Sequence, residues 1–196
     1  MSRRTRTGDP ADTGFTLIEL IVYMSLATII LFIIGGFMIS SLKVERDVTG
    51  AAQATTAAQL ISTSVQAAVR NGSGVTVLSA GSDGSQMLVA RTTTRGSTVS
   101  WVCQAWYYSA SNKAIYTTTS ATPAVAISLP ATAPAGTWTL LGSGISPSKS
   151  GVSVFSSTSD SATLNFEVAV ENRAPVRVET MAYTRVDGAV GAPCFP

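Results

Sequence analysis

The pattern of apolar and polar residues divides the chain into four parts. From Phe15 to Leu42 every residue is apolar or uncharged except Glu19, and a polar segment, residues 1–14, comes before this run. The uncharged stretch from Leu20 to Leu42 exceeds the roughly 20 residues that a helix needs to cross a hydrocarbon core of about 30 Å. The pattern therefore predicts a membrane-spanning helix over residues 15–42.

Residues 43–71 continue this helix with one apolar face. Their apolar residues recur at three- and four-residue spacing, which is typical of an amphipathic helix: Val44, Val48, Ala51, Ala58, Ile61, Val65 and Ala68. Asn71-Gly72 provides a stop signal. A helix from Phe15 to Arg70 would be about 84 Å long at 1.5 Å per residue, with its second half available for packing against a globular head.

The third change of pattern begins at residue 72, where short β-like runs alternate with turn residues. The runs "GVTVLS" and "QMLVART" predict one hairpin, and "STVSWVCQAWYY" and "KAIYTTT" predict a second. Four later runs, "TWTLL", "GVSVFSS", "ATLNFEVAVE" and "PVRVETMAYTR", follow a Pro- and Ala-rich loop. The fold predicted is α+β: a long N-terminal helix, hydrophobic then amphipathic, packed on a mostly antiparallel β-sheet head at residues 72–196.

Alternation within these runs predicts which side chains are buried. Phe166, Val168 and Val170 should face the core, and the intervening charged residues should face water. In the run from Trp101 to Tyr108, one face should carry Trp101, Cys103, Ala105 and Tyr107, and the other face should carry Trp106 and Tyr108. One of these two faces should be core around a cysteine, and the other is a candidate surface for a sugar or a partner.

Glu19 needs an explanation, because an ionisable side chain inside a membrane span costs about 2.5 to 3.5 kcal/mol at the centre of a helix. A cleaved secretory signal would have a shorter apolar segment. A plain signal anchor fits the length, and Arg3, Arg4 and Arg6 before the run would hold that end in the cytoplasm. Neither a cleaved signal nor a signal anchor explains why the apolar run contains the carboxylate of Glu19.

The junction "GFTLIEL", Gly14 to Leu20, resembles the class III signal of type IV prepilins and pseudopilins. In that family a short basic leader ends in Gly, and Phe begins the mature chain. A carboxylate stands at its fifth position, ahead of an uninterrupted apolar helix. Gly14, Phe15 and Glu19 match these three positions. The motif covers Gly14 to about Leu42 and does not extend into the β-rich part.

The resemblance implies that a prepilin peptidase removes residues 1–14 by cutting between Gly14 and Phe15, and that the new amine of Phe15 is N-methylated. Glu19 would then neutralise the N-terminal amine of a neighbouring subunit in a filament. The implied partners are other pilin subunits, the peptidase, the membrane, and a pilus assembly platform with its ATPase. The precursor would be a single-pass cytoplasmic membrane protein with its N-terminus in the cytoplasm, and the assembled filament would be extracellular.

The size of the β-rich part favours a minor pilin or pseudopilin within this family. The alternative is a membrane-anchored extracellular β-rich domain for binding or adhesion that does not polymerise. The sequence does not decide between motility, adhesion, secretion and DNA uptake.

The amino-acid composition limits the reactions and ligands that the chain can support. The chain has no histidine, which excludes histidine-based acid–base catalysis and histidine metal sites, and it shows no convincing carboxylate pair. We therefore expect no enzymatic activity, no cofactor and no metal. Thirteen basic and eleven acidic residues give a net charge of +2. Scattered cations such as Arg70, Arg91, Arg95 and Lys113 form no dense patch, so no specific nucleic-acid partner is predicted.

The two cysteines, Cys103 and Cys194, form an even count in a chain predicted to be exported, where disulfides persist. A bridge between them would close a loop of about 90 residues and contribute roughly 4 to 5 kcal/mol in the chain-entropy model. Two unpaired buried thiols are the alternative.

Overall fold

The computed structural model consists of one long helix followed by antiparallel strands. The helix α1 spans Leu17–Arg70. The strands are β1 Gly72–Ala80, β2 Ser85–Thr93, β3 Trp101–Ser109, β4 Ala114–Thr119, β5 Thr139–Ser143, β6 Ile145–Pro147, β7 Phe155–Ser157, β8 Ser161–Val168 and β9 Val176–Tyr183. The structure describes residues 15–80, 83–94, 100–120, 124–130, 134, 136–171, 173–185 and 193–195.

The chain divides into two compact units, Met1–Arg46 and Asp47–Pro196. In the first unit, the described residues form the N-terminal part of α1. The second unit contains the rest of α1 and all the strands of the described residues. The fold is α+β, with the helix packed against mostly antiparallel sheet, as the sequence predicted.

Two antiparallel sheets build the β-rich unit. The first has the strand order β1-β2-β3-β4-β5, so each strand pairs with its neighbour in sequence. In the second sheet β8 is central: it pairs with β6 and β7, and with β9. The two hairpins predicted from the sequence are β1–β2 and β3–β4, and both are confirmed.

The main core lies between α1 and the sheets. The helix contributes buried side chains at three- and four-residue spacing, namely Ala54, Ala58, Ile61, Val65, Ala68 and Val69. Trp106 of β3 and Phe166 of β8 belong to the same core and are fully buried. The predicted inward face of Phe166, Val168 and Val170 is confirmed, because all three are buried while Glu171 is exposed.

Two residues of the predicted apolar face, Val44 and Val48, are 55% and 54% exposed, respectively. On α1, packing against the main core starts at Ala51, which is partly buried. Periodicity alone marks an apolar stripe, but it does not show where along the helix the sheets begin to cover that stripe.

Gly72, the first residue of β1, occupies a tight position next to the helix end. A Cβ at this position would lie 2.6 Å from the carbonyl oxygen of Arg91 and 2.9 Å from that of Ala68, both backbone atoms. We expect Gly72→Ala to lower the free energy of unfolding by about 1 to 3 kcal/mol, the usual range for overpacking. Chemical denaturation of the full-length chain in nanodiscs, followed by circular dichroism, measures this change.

Gly50 provides the matched control for Gly72. It lies within α1, and a Cβ added there meets nothing within 4 Å. Gly50→Ala should therefore stabilise the chain by about 0.5 to 1 kcal/mol, because alanine is the better helix former. Equal effects of the two substitutions would contradict the close approach at Gly72.

Candidate functional site

The N-terminal end of α1 is capped by a threonine. Thr16 precedes the first helical residue, and its Oγ1 accepts a hydrogen bond of 3.3 Å from the backbone N–H of Glu19. Thr16 and Glu19 thus occupy the N-cap and third helical positions, the spacing of a capping box. The sequence predicted that the helix starts at Phe15. The observed start at Leu17 is explained by this cap, since an N-cap residue has non-helical backbone angles.

Glu19 lies in the first turn of α1, where a negative charge is favoured by the positive end of the helix dipole. Its side chain is partly buried and accepts a hydrogen bond of 3.4 Å from the Tyr23 hydroxyl. The ring of Tyr23 packs edge-on against Phe15, with 6.2 Å between the ring centroids. Within the described residues, Glu19 has no cationic partner in reach of a salt bridge.

The helix beyond Glu19 presents apolar side chains on all sides. The large apolar residues in this part of α1 are exposed, Phe32 to 81% and Phe37 to 76%. By length and composition α1 is long and apolar enough to cross a membrane. An uncovered apolar surface of this size indicates contact with lipid or with other protein.

Comparison with known families identifies a motif in the segment that includes the start of α1. Residues 10–35 match the family model described as the prokaryotic N-terminal methylation motif. The chain carries the class III signal peptide of type IV pilins. No curated protein and no solved structure is similar enough to the chain to count as a match.

The motif and the apolar helix together indicate that the precursor is anchored in a membrane. Of the residues predicted from the sequence, Phe15 lies two residues before α1 and Glu19 lies in its first turn. Gly14 and the leader, residues 1–14, lie outside the described residues. Thr16 belongs to the motif "GFTLIEL", but its role as the helix cap was not predicted, although the T-x-x-E spacing is a known helix-start signal.

The aromatic residues of β3 do not form an open binding surface. Trp106 and Tyr108 face α1, where the indole Nε1–H of Trp106 donates a 3.0 Å hydrogen bond to Ser64 Oγ. Tyr107 faces the opposite side and is also buried, in edge-on contact with Trp138. The prediction that one aromatic face is available to a sugar or partner is therefore wrong for these three residues, because all three are buried, whereas Trp101 at the start of β3 is 36% exposed.

A second, smaller core covers the face of the first sheet that points away from α1. A disulfide joins Cys103 to Cys194, with the Cα atoms 5.3 Å apart, and both residues are buried. The predicted bridge is thus present. Around it pack side chains from β2, β3 and the segment 124–130, among them Met87, Val89, Ala105, Ile127 and Leu129.

Two ionisable side chains of the β-rich unit have shifted pKa values. The Ser85 hydroxyl and backbone N–H donate hydrogen bonds to Asp83 and hold the pKa of that carboxyl below its ordinary value of 3.8. Burial raises the pKa of Tyr108 above 10.0. In the part of the chain that the structure describes, no group of three or more His, Cys, Asp or Glu residues is placed to hold a metal ion.

Proposed function

We propose that the chain is a structural subunit of a type IV pilus or related filament, a minor pilin or pseudopilin. The observation that carries this proposal is the methylation motif at residues 10–35, followed directly by a helix whose apolar side chains are exposed. A filament core would cover this apolar surface after the precursor leaves the membrane. The chain acts as an assembly element and not as an enzyme.

Processing would convert the precursor into the assembly-competent form. A prepilin peptidase cuts between Gly14 and Phe15 and N-methylates the amine of Phe15. The new amine is a positive charge two residues before α1, at the helix end whose dipole is also positive. This arrangement is unfavourable within one subunit, so a carboxylate from a neighbour would stabilise it.

Glu19 is the carboxylate that the proposal assigns to this contact. Opposite charges about 4 Å apart attract by roughly 4 kcal/mol at an effective dielectric of 20, which offsets part of the cost of burying both. The Thr16 cap and the Tyr23 hydroxyl hold the first turn and the Glu19 side chain in place. Glu19 therefore sets the axial position of one helix against the next.

The proposed partners are other pilin subunits, the prepilin peptidase, and an assembly platform with its ATPase. The precursor crosses the cytoplasmic membrane once, with its N-terminus inside, because Arg3, Arg4 and Arg6 precede the span. The β-rich unit is then exported, and a disulfide between Cys103 and Cys194 suits an oxidising compartment.

Cell fractionation tests the proposal against a membrane-anchored binding domain. Filaments are sheared from cells that produce the chain, purified, and digested for mass spectrometry. Peptides of the β-rich unit in the filament fraction, and their loss when the assembly ATPase is deleted, are the expected result. Recovery from the membrane fraction alone, unchanged by that deletion, would favour the anchored domain.

A further inference from the structure

The unit Asp47–Pro196 contains a cleft where α1 passes over the ends of β2, β3 and β4. Its volume is about 820 Å³. One wall is the last part of α1, including Leu60 and Ser64, and the floor includes Thr92, Gln104 and Thr119. Clefts of about 300 to 1,000 Å³ are the usual size of small-molecule sites.

The lining of the cleft is polar and uncharged. Most of its side chains carry a hydroxyl or an amide, and none of the lining residues that the structure describes is charged. Leu60, which is 48% exposed, and Val102 add apolar surface. A ligand that relies on ion pairs would find no partner here, whereas one with hydroxyl groups and C–H surfaces would find both kinds of contact.

Several polar side chains of the cleft have no hydrogen-bond partner among the described residues. The side chains of Thr92, Gln104 and Thr119 make no hydrogen bond to any described residue. Thr92 is only 5% exposed. A hydroxyl or amide that is poorly hydrated and unpaired costs free energy, so a ligand that pairs with it gains affinity.

Other hydrogen bonds fix the shape of the cleft. Ser64 Oγ on α1 accepts a bond from the Trp106 indole, which ties the wall to β3. Ser120 Oγ accepts a 2.9 Å bond from the backbone N–H of Cys103, which ties the end of β4 to β3. The cleft is therefore formed before a ligand arrives, and less ordering has to accompany binding.

The cleft offers little free strand edge to a peptide. β2, β3 and β4 each pair with a strand on both sides, and only the last two residues of β4, Thr118 and Thr119, lie beyond the described pairing with β5. An extended peptide that adds to a sheet needs an unpaired edge. We propose that the cleft binds a short neutral oligosaccharide through the side chains of Thr92, Gln104 and Thr119.

Saturation-transfer difference NMR tests this site with the full-length chain in lipid nanodiscs. The probes are maltotriose, cellotriose and triacetylchitotriose, which are neutral, and trigalacturonate, which is acidic. We expect saturation transfer to at least one neutral trisaccharide and weaker binding of trigalacturonate. No transfer to any neutral probe, or equal binding of the acidic one, would overturn the proposal.

Two substitutions locate the binding. Gln104→Leu combined with Thr119→Val should weaken the affinity for the bound probe at least about tenfold, since both substitutions remove a hydrogen-bonding group that would pair with the sugar. Thr139→Val is the matched control, because Thr139 is an exposed strand threonine outside the cleft. Affinity unchanged by the double substitution, or lowered equally by the control, would place the sugar elsewhere and contradict the proposal.

The single variant Thr119→Val keeps the test valid if the double variant does not fold. Thr119 is exposed, and its hydroxyl makes no hydrogen bond to a described residue, so its removal should leave the unfolding midpoint unchanged. A weaker affinity with an unchanged midpoint supports the site, and an unchanged affinity argues against it. Because the proposal concerns the β-rich unit alone, its failure would leave the filament proposal intact.

Discussion

Glu19→Ala is expected to leave membrane insertion and leader removal intact and to reduce incorporation into filaments at least about tenfold. The substitution removes the carboxylate that would pair with a neighbour's amine. A loss of 1.4 kcal/mol is already a factor of ten, and the proposed attraction is roughly 4 kcal/mol. Quantitative mass spectrometry of sheared filaments, normalised to the membrane-bound pool, measures the change.

A second substitution separates charge pairing from helix capping. Glu19 is also the third residue of α1, and its backbone N–H donates to Thr16 Oγ1 at the spacing of a capping box. Glu19→Gln retains a residue that suits this position but removes the charge. We expect Gln to fail as Ala does. Normal incorporation of the Gln variant would show that Glu19 acts through the cap, and normal incorporation of both variants would remove any assembly role.

Glu45→Ala is the matched control for the loss of a carboxylate. Glu45 is an exposed glutamate on the same helix, beyond the apolar run. Its removal should leave incorporation unchanged. An equal loss with Glu45→Ala would mean that the effect follows from net charge and not from the position of Glu19.

Removing the disulfide is expected to lower the free energy of unfolding by about 2 to 5 kcal/mol, the usual cost for a native bridge. The variant is Cys103→Ala with Cys194→Ala, so that no free thiol remains. Cys103 and Cys194 are buried in the smaller core, and without the bond the C-terminal residues lose their covalent link to β3. Chemical denaturation of the full-length chain in nanodiscs gives the difference.

Reduction provides the control for the disulfide prediction. Wild-type protein treated with dithiothreitol should approach the stability of the double variant, and the variant itself should not respond to the reductant. A loss below about 1 kcal/mol in the variant would show that packing in the smaller core fixes this segment without the bridge.

The helix and the hairpins were predictable because each depends on local patterns. The 3.6-residue period located Ile61 and Val65 in the core, and alternation located Phe166. The Gly14–Phe15–Glu19 motif was readable because processing acts on a short, contiguous segment. The exposure of Val48 on the same apolar face was not predictable, since the extent of the sheet along the helix is set by tertiary packing.

The remaining features depend on segments without a periodic pattern. The segment 124–130 covers β3 from the side opposite α1, and its Pro- and Ala-rich sequence gave no sign of this packing. For this reason Tyr107 is buried although it belongs to a strand expected to have one open face. The cleft is formed by α1 and three strands that are separate in sequence, so no single stretch of sequence predicts it.

Intact-mass and N-terminal peptide mass spectrometry on protein from its native host tests the central claim most directly. The account predicts a chain that begins at N-methylated Phe15 and lacks residues 1–14. A mature chain that retains Met1 or Ser2, or that begins after Leu42, would contradict it. The protein would then be an anchored or secreted β-rich domain, and Glu19 would have no assigned role in assembly.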